Sequence, residues 1–110
     1  MSITQQQAAA GNISPIEPKI ARVLRAFLTR PTLNRFQAER DPAIADHVLP
    51  STVSELKRAG VRIASRLVKA HGYAGAPVWL AEYSLPLEAH AQAKRVLECI
   101  LDRAKPRHRE

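Results

Sequence analysis

Apolar residues in this chain follow a helical period at both ends and an alternating period between them. Ile20, Val23, Leu24, Phe27 and Leu28 recur at i, i+3, i+4, i+7 and i+8, which predicts an amphipathic helix ending near Thr29. Ser14, with Pro15 and Glu17 behind it, supplies the start signal, and Arg30-Pro31-Thr32 breaks the run. Asn34 and Gln37 form a capping pair for a second, short helix carrying Phe36 and Ala38. It should stop near Arg40, because Asp41 precedes Pro42. Residues 43–48 read as a turn or loose linker, with Ile44 and Val48 available to plug the core. Leu49, Val53 and Leu56 then fall on one side of a third short helix, with Pro50 suited to its first turn and Gly60 to a left-handed stop.

The period changes after Gly60. Val61, Ile63 and Leu67 alternate with Arg62, Ala64, Arg66 and Val68, so residues 61–69 read as a strand. The stretch from His71 to Pro77 holds two glycines and reads as a protruding loop. Residues 78–85 alternate again, with Trp79, Ala81, Tyr83 and Leu85 on one side and Trp79 expected in the core. A last helix over residues 87–104 carries a stripe of Ala89, Ala93, Val96, Leu97, Ile100 and Leu101. The predicted fold is α+β and mostly α: a winged helix-turn-helix with a three-helix core, a β-hairpin wing and a C-terminal helix. Residues 1–13 read as a flexible tail, 14–85 as the winged-helix domain, 86–104 as the C-terminal helix and 105–110 as a basic tail.

The third helix is the most informative element. A helix this short is marginal alone in water and must dock by its apolar edge. Its opposite side shows Ser51, Ser54, Glu55 and Arg58, flanked by Thr52 and Lys57. Small hydroxyls beside a long cation suit a helix entering the DNA major groove. The segment taken alone is equally compatible with a short solvated helix of a small bundle.

Charge shifts that balance. The 110-residue chain has 17 Lys+Arg against 10 Asp+Glu, a formal net charge of +7. Between Lys57 and Ala81 it carries Lys57, Arg58, Arg62, Arg66 and Lys69 and no acid. Ordinary surfaces mix both signs, and a basic block beginning inside a groove-sized helix is the footprint of a nucleic-acid binder. The aromatics are too scattered for a single-strand stacking platform. The apolar runs are too short to span a bilayer, so no membrane partner is expected, and one cysteine with no signal pattern fits the cytoplasm.

Catalysis and cofactors find little footing. Asp46, His47 and Ser51 lie near one another in sequence, but such a cluster in a turn is usually capping and solvation. His47, His71, His90 and Cys99 lack metal-ligand spacing, and Cys99 is expected in or near the core. No enzyme activity, cofactor, metal or small-molecule substrate is expected.

Leu33-Asn34-Arg35-Phe36-x-Ala38-Glu39, Ser51-Thr52-Val53-Ser54-x-Leu56, Gly72-Tyr73-x-Gly75 and Tyr83-x-Leu85 together resemble the small winged helix-turn-helix DNA-binding proteins of phages and prophages, over roughly residues 20–85. The resemblance implies that the helix starting near Pro50 reads DNA and that Gly72–Gly75 forms the wing. The stretch from Asp41 to Ala45 departs from it by being longer than a tight turn. The expected DNA contacts are Asn34, Arg35, Pro50, Ser51, Thr52, Ser54, Glu55, Lys57, Arg58, Arg62, Arg66, Lys69 and His71. The expected function is double-stranded DNA binding as a transcriptional regulator or recombination accessory factor. The alternative is a protein-interaction module, such as a phage-encoded inhibitor of a host system, and RNA is a third option served by the same basic face. A last helix of about 27 Å would overhang a small core, so Val96, Leu97, Ile100 and Leu101 are expected to form a homodimer interface. The same helix folded back along the first would be used within one chain.

Overall fold

The computed structural model describes residues 17–71 and 75–104. Its helices are α1 (Lys19–Thr29), α2 (Arg35–Arg40), α3 (Leu49–Arg58) and α4 (His90–Ala104), the last preceded by a 3-10 turn over Leu87–Ala89. Strands β1 (Ala64–His71) and β2 (Pro77–Ser84) pair antiparallel between α3 and α4. A single-residue bridge joins Leu33 to Tyr83: the Leu33 amide donates to the Tyr83 carbonyl at 2.8 Å, and the Leu33 carbonyl accepts the Tyr83 amide at 2.9 Å. This order of helices, bridge and hairpin is that of a winged helix-turn-helix, α+β and mostly helical.

The core is aliphatic around one aromatic, Phe27. Ala21, Val23, Leu24, Ala26 and Phe27 of α1 pack with Leu49, Val53 and Leu56 of α3 and with Ala93 and Leu97 of α4. Helix α1 lies against both α3 and α4. The described helix begins at Lys19 after Pro18, without a side-chain cap; the start signal at Ser14 lies outside the described residues, as do the expected tails 1–13 and 105–110.

The capping box at α2 forms as the sequence predicts: the Gln37 amide donates to Asn34 Oδ1 at 2.9 Å and the Asn34 amide to Gln37 Oε1 at 3.0 Å. Its buried member is Ala38; Phe36 stays half-exposed, with the Arg35 and Arg40 guanidiniums 5.0 and 5.7 Å from its ring centre.

The linker from α2 to α3 is an ordered turn, not a loose one. The Asp41 side chain accepts the Ala43 amide at 2.8 Å, and its carbonyl accepts the amides of Ile44 and Ala45 at 2.9 and 2.8 Å. Ala45 sits at φ 51°, a strained position for a residue with a Cβ. Ile44 fills the core, but Val48 is about half exposed. Three cations of or beside α1 hold this linker. Arg22 Nε donates to the Ile44 carbonyl at 2.9 Å, Lys19 Nζ lies 3.4 Å from Asp46, and Arg30 pairs with Asp41.

Asp46 is fully buried. Burial alone would raise its pKa, but the Thr52 hydroxyl, the Val48 amide and the Lys19 ammonium outweigh it and hold the carboxyl below its usual value. The Val48 amide donates to Asp46 Oδ1 at 2.9 Å. The Thr52 hydroxyl approaches more loosely, outside strict hydrogen-bond geometry, and neither it nor Asp46 Oδ2 has another partner among the described residues.

Helix α3 ends in a Schellman motif. Gly60, at φ 101°, donates to the Lys57 carbonyl at 3.0 Å and Val61 to the Leu56 carbonyl at 3.0 Å, while Val61 and Leu56 are both buried. Val61 and Ile63 therefore precede the hairpin as core anchors, and β1 starts at Ala64, later than the predicted strand.

Asp46→Ala strands the Val48 amide and removes the partner of Lys19. It should cost about 1–3 kcal/mol, read as a lower midpoint in thermal unfolding. Asp46→Asn isolates the charge. Because the folded carboxyl titrates below its unfolded value, the charge stabilises above about pH 4 and that contribution is lost as pH falls through the folded pKa. The stability gap between wild type and Asp46→Asn should be widest near neutrality and close in acid. A gap constant from pH 7 to pH 3 would show that the charge contributes nothing.

Candidate nucleic-acid interface

Helix α3 divides its residues cleanly. Leu49, Thr52, Val53 and Leu56 are buried. Pro50, Ser51, Ser54, Glu55, Lys57 and Arg58 are exposed. The outward face is thus two small hydroxyls, one acid and two cations, and neither cation has an ion-pair partner among the described residues. Thr52 corrects the expectation of a DNA contact: its side chain turns inward to Asp46 and is about 1% exposed. On a helix of 3.6 residues per turn, Thr52 stands beside Val53 and one turn before Leu56, close enough to the apolar edge to be covered.

Helix α2 contributes Arg35 and Arg40, both exposed and held against Phe36. Arg40 was not singled out by the sequence, because its role depends on the folded adjacency of α2 and α3. Asn34 is half-exposed and its side-chain oxygen is committed to the cap, which leaves only its NH2 group for a ligand.

The hairpin joins this surface at its base. Lys57 at the end of α3 and Arg62 before β1 line one shallow depression with Val61, Ile63, Ala64 and Pro86. Farther out, strand pairing alters the charge pattern. The register sets Arg66 opposite Glu82, and the two side chains meet at 3.0 Å. Arg62 lies 3.4 Å from Glu88. The acid-free run from Lys57 to Ala81 is therefore a property of the linear sequence; β2 and the turn after it return acids to two of its five cations. Both pairs are exposed, so each contributes little and can yield to a phosphate. Lys69 and His71 are exposed on the hairpin, and Lys69 Nζ lies 5.9 Å from the centre of the Trp79 ring. Gly75 has φ 75°; the remainder of the expected wing tip, residues 72–74, lies outside the described residues.

Trp79 is about two-thirds exposed, contrary to the core position expected for it, and Leu67 on the same face is equally exposed. Alternation marks one face of a strand but does not say that anything covers it. Here Tyr83 at the ribbon's base packs on the core and Leu80 is buried on the opposite face, while the face carrying Leu67 and Trp79 is left open. Cys99 is likewise exposed, against expectation, because it lies off the apolar stripe of α4. Of the four residues expected at a dimer interface, Leu97 is buried within its own chain, and Val96, Ile100 and Leu101 are half-buried against the same core. Helix α4 folds back along α1 and uses much of its stripe there. Among the described residues no group of three His, Cys, Asp or Glu side chains gathers as metal ligands, and no helix is long and apolar enough to cross a membrane.

No family model and no curated protein matches the chain. Among solved structures, the circadian clock associated protein Pex from Anabaena is similar in fold, with a TM-score of 0.50 at 19% identity, covering 94% of this chain and 95% of that one.

If Arg66 is held from phosphate by Glu82, then Glu82→Gln should strengthen duplex binding by roughly three- to tenfold at low salt and steepen the salt dependence by about one unit. An unchanged slope would show that Arg66 faces away from the nucleic acid.

Proposed function

We propose that the protein binds double-stranded DNA, with α3 in the major groove and the hairpin along the flanking backbone, as a transcriptional regulator or recombination accessory factor. The observation that carries this reading is the division of α3: its inner face is consumed by the core, while its outer face is small, polar and basic, with no ion-pair partner for Lys57 or Arg58 among the described residues. Ser51 and Ser54 permit close approach, and Arg58 has the reach and fork geometry to read guanine. Glu55 either accepts from cytosine N4 or repels phosphate at wrong sites. Arg35 and Arg40, exposed on α2, would meet the phosphates if that helix crosses the backbone as the first helix of a helix-turn-helix does. The winged-helix fold supports this placement, and the neighbour's association with the circadian clock suits a regulatory role. The phage or prophage setting rests on the short sequence resemblance alone.

A duplex titration at several salt concentrations is the direct test. Arg35, Arg40, Lys57 and Lys69, with Arg62 or Arg66 released, make about four to five phosphate contacts, so log K against log salt should slope near −4. Retained binding with a flat response would remove the electrostatic basis of the proposal. Arg58→Ala should cost about 1–3 kcal/mol on the preferred site and relax discrimination at one base pair. Equal weakening on all sequences would reassign Arg58 to the backbone.

A further inference from the structure

The two faces of the hairpin differ in kind. Cross-strand partners share a face, so the register places Leu67, Lys69 and His71 with Ala81, Trp79 and Pro77 on one side, and Arg66, Val68 and Ala70 with Glu82, Leu80 and Val78 on the other. The second face is spent: Arg66 is paired with Glu82, and Leu80 is buried. The first is open. Trp79 and Leu67 are its largest side chains and are 66% and 67% exposed. Lys69 rests over the indole with no acidic partner among the described residues. At its base this face is anchored by half-buried Tyr83; beyond the helical layer it runs free.

We infer that the Trp79 face of the hairpin is the surface that meets DNA, with Trp79 and Leu67 pressed into the minor groove as an apolar wedge and Lys69 bound to the adjoining phosphate. The inference rests on the DNA-binding reading above and assigns the wing a contact of its own. Charge complementarity selects the occupant. The large apolar side chains are flanked by Lys69, a cation with no acidic partner among the described residues. An apolar partner would gain nothing from the cation, whereas minor-groove proteins combine apolar wedges with flanking Lys or Arg. The cation–π contact holds ring and ammonium together before binding, and Lys69 need only swing from the ring to a phosphate.

Trp79 is the sole tryptophan of the chain, so intrinsic emission reports this face alone. The full chain should be titrated with an A·T-rich duplex while indole emission and the anisotropy of a labelled duplex are followed separately. The expected result is strong quenching that tracks anisotropy, a loss of roughly 5- to 100-fold in affinity for Trp79→Ala, and near-complete recovery in Trp79→Phe. Filling the minor groove beforehand with netropsin should abolish the quench. Binding without quenching, or Trp79→Ala at wild-type affinity, overturns the inference and leaves the DNA-binding proposal standing. Quenching that persists with netropsin overturns the groove assignment. Emission that changes with protein concentration in the absence of DNA shows a second copy covering the face, which also overturns it. Absence of duplex binding by anisotropy removes both readings. Should Trp79→Ala lower the thermal midpoint, the wild-type quench and the Trp79→Phe affinity decide between them.

Discussion

The buried carboxylate of Asp46 is the constraint on which the presentation of α3 depends. A charge taken out of water is costly unless donors surround it. Here they come from separate pieces of the fold: Lys19 from α1 and the Val48 amide at the mouth of α3, with the Thr52 hydroxyl of α3 turned toward the carboxylate at looser geometry. Helix α3 has no side-chain N-cap of its own, so the Asp46 carboxylate at its entry also complements the positive end of its dipole. Moving α3 relative to α1 would strand the charge. The angle of the outward face is therefore set from behind, by residues that touch no ligand.

Arg22 and Arg30 extend the same logic along the linker. They reach the Ile44 carbonyl and the Asp41 side chain from α1 or its end, which keeps an eight-residue connection (residues 41–48) from behaving as a loose loop. A longer connection between the two helices of the motif is tolerated because cations on a third helix hold it, including Ala45 in a backbone conformation it would otherwise avoid. On the far side of α3, the Gly60 stop and the buried Val61 and Ile63 attach the hairpin's base to the core, and beyond that base its outer face is left to solvent.

Two kinds of surface result. The first is the continuous strip formed by α2, the outer face of α3 and the hairpin base. Several of its cations have no ion-pair partner among the described residues. The second is α4, whose stripe is largely absorbed by α1 and whose outer side presents Cys99 among charged residues. Fold does not fix function, and the protein-interaction alternative would use the same scaffold. The strip favours a polyanion because its free groups are cations and small hydroxyls rather than a broad apolar patch. Its most exposed aromatic, Trp79, stands on the hairpin, and half-buried Phe36 lies under the α2 arginines.

Local periodicity and local chemistry determined much of this protein from sequence alone. The α1 stripe, the Asn34–Gln37 capping box, the Gly60 stop and the apolar edge of α3 are short-range patterns, and each closes within one or two helical turns. The exposed bases of the strip, Arg35, Lys57 and Arg58, were legible for the same reason. What tertiary structure decided are pairings between distant segments. Asp46 lies in a stretch with no strong local pattern, and its burial depends on Lys19 and Thr52. The Leu33–Tyr83 bridge is one residue wide and leaves no periodic trace. Arg66 loses its free charge to Glu82 only through strand register, so a linear charge count overstates the hairpin's potential. Trp79 reads as core because alternation reports a shared face; whether another layer covers that face is a question of three-dimensional packing, and here both Trp79 and Leu67 on that face stay exposed.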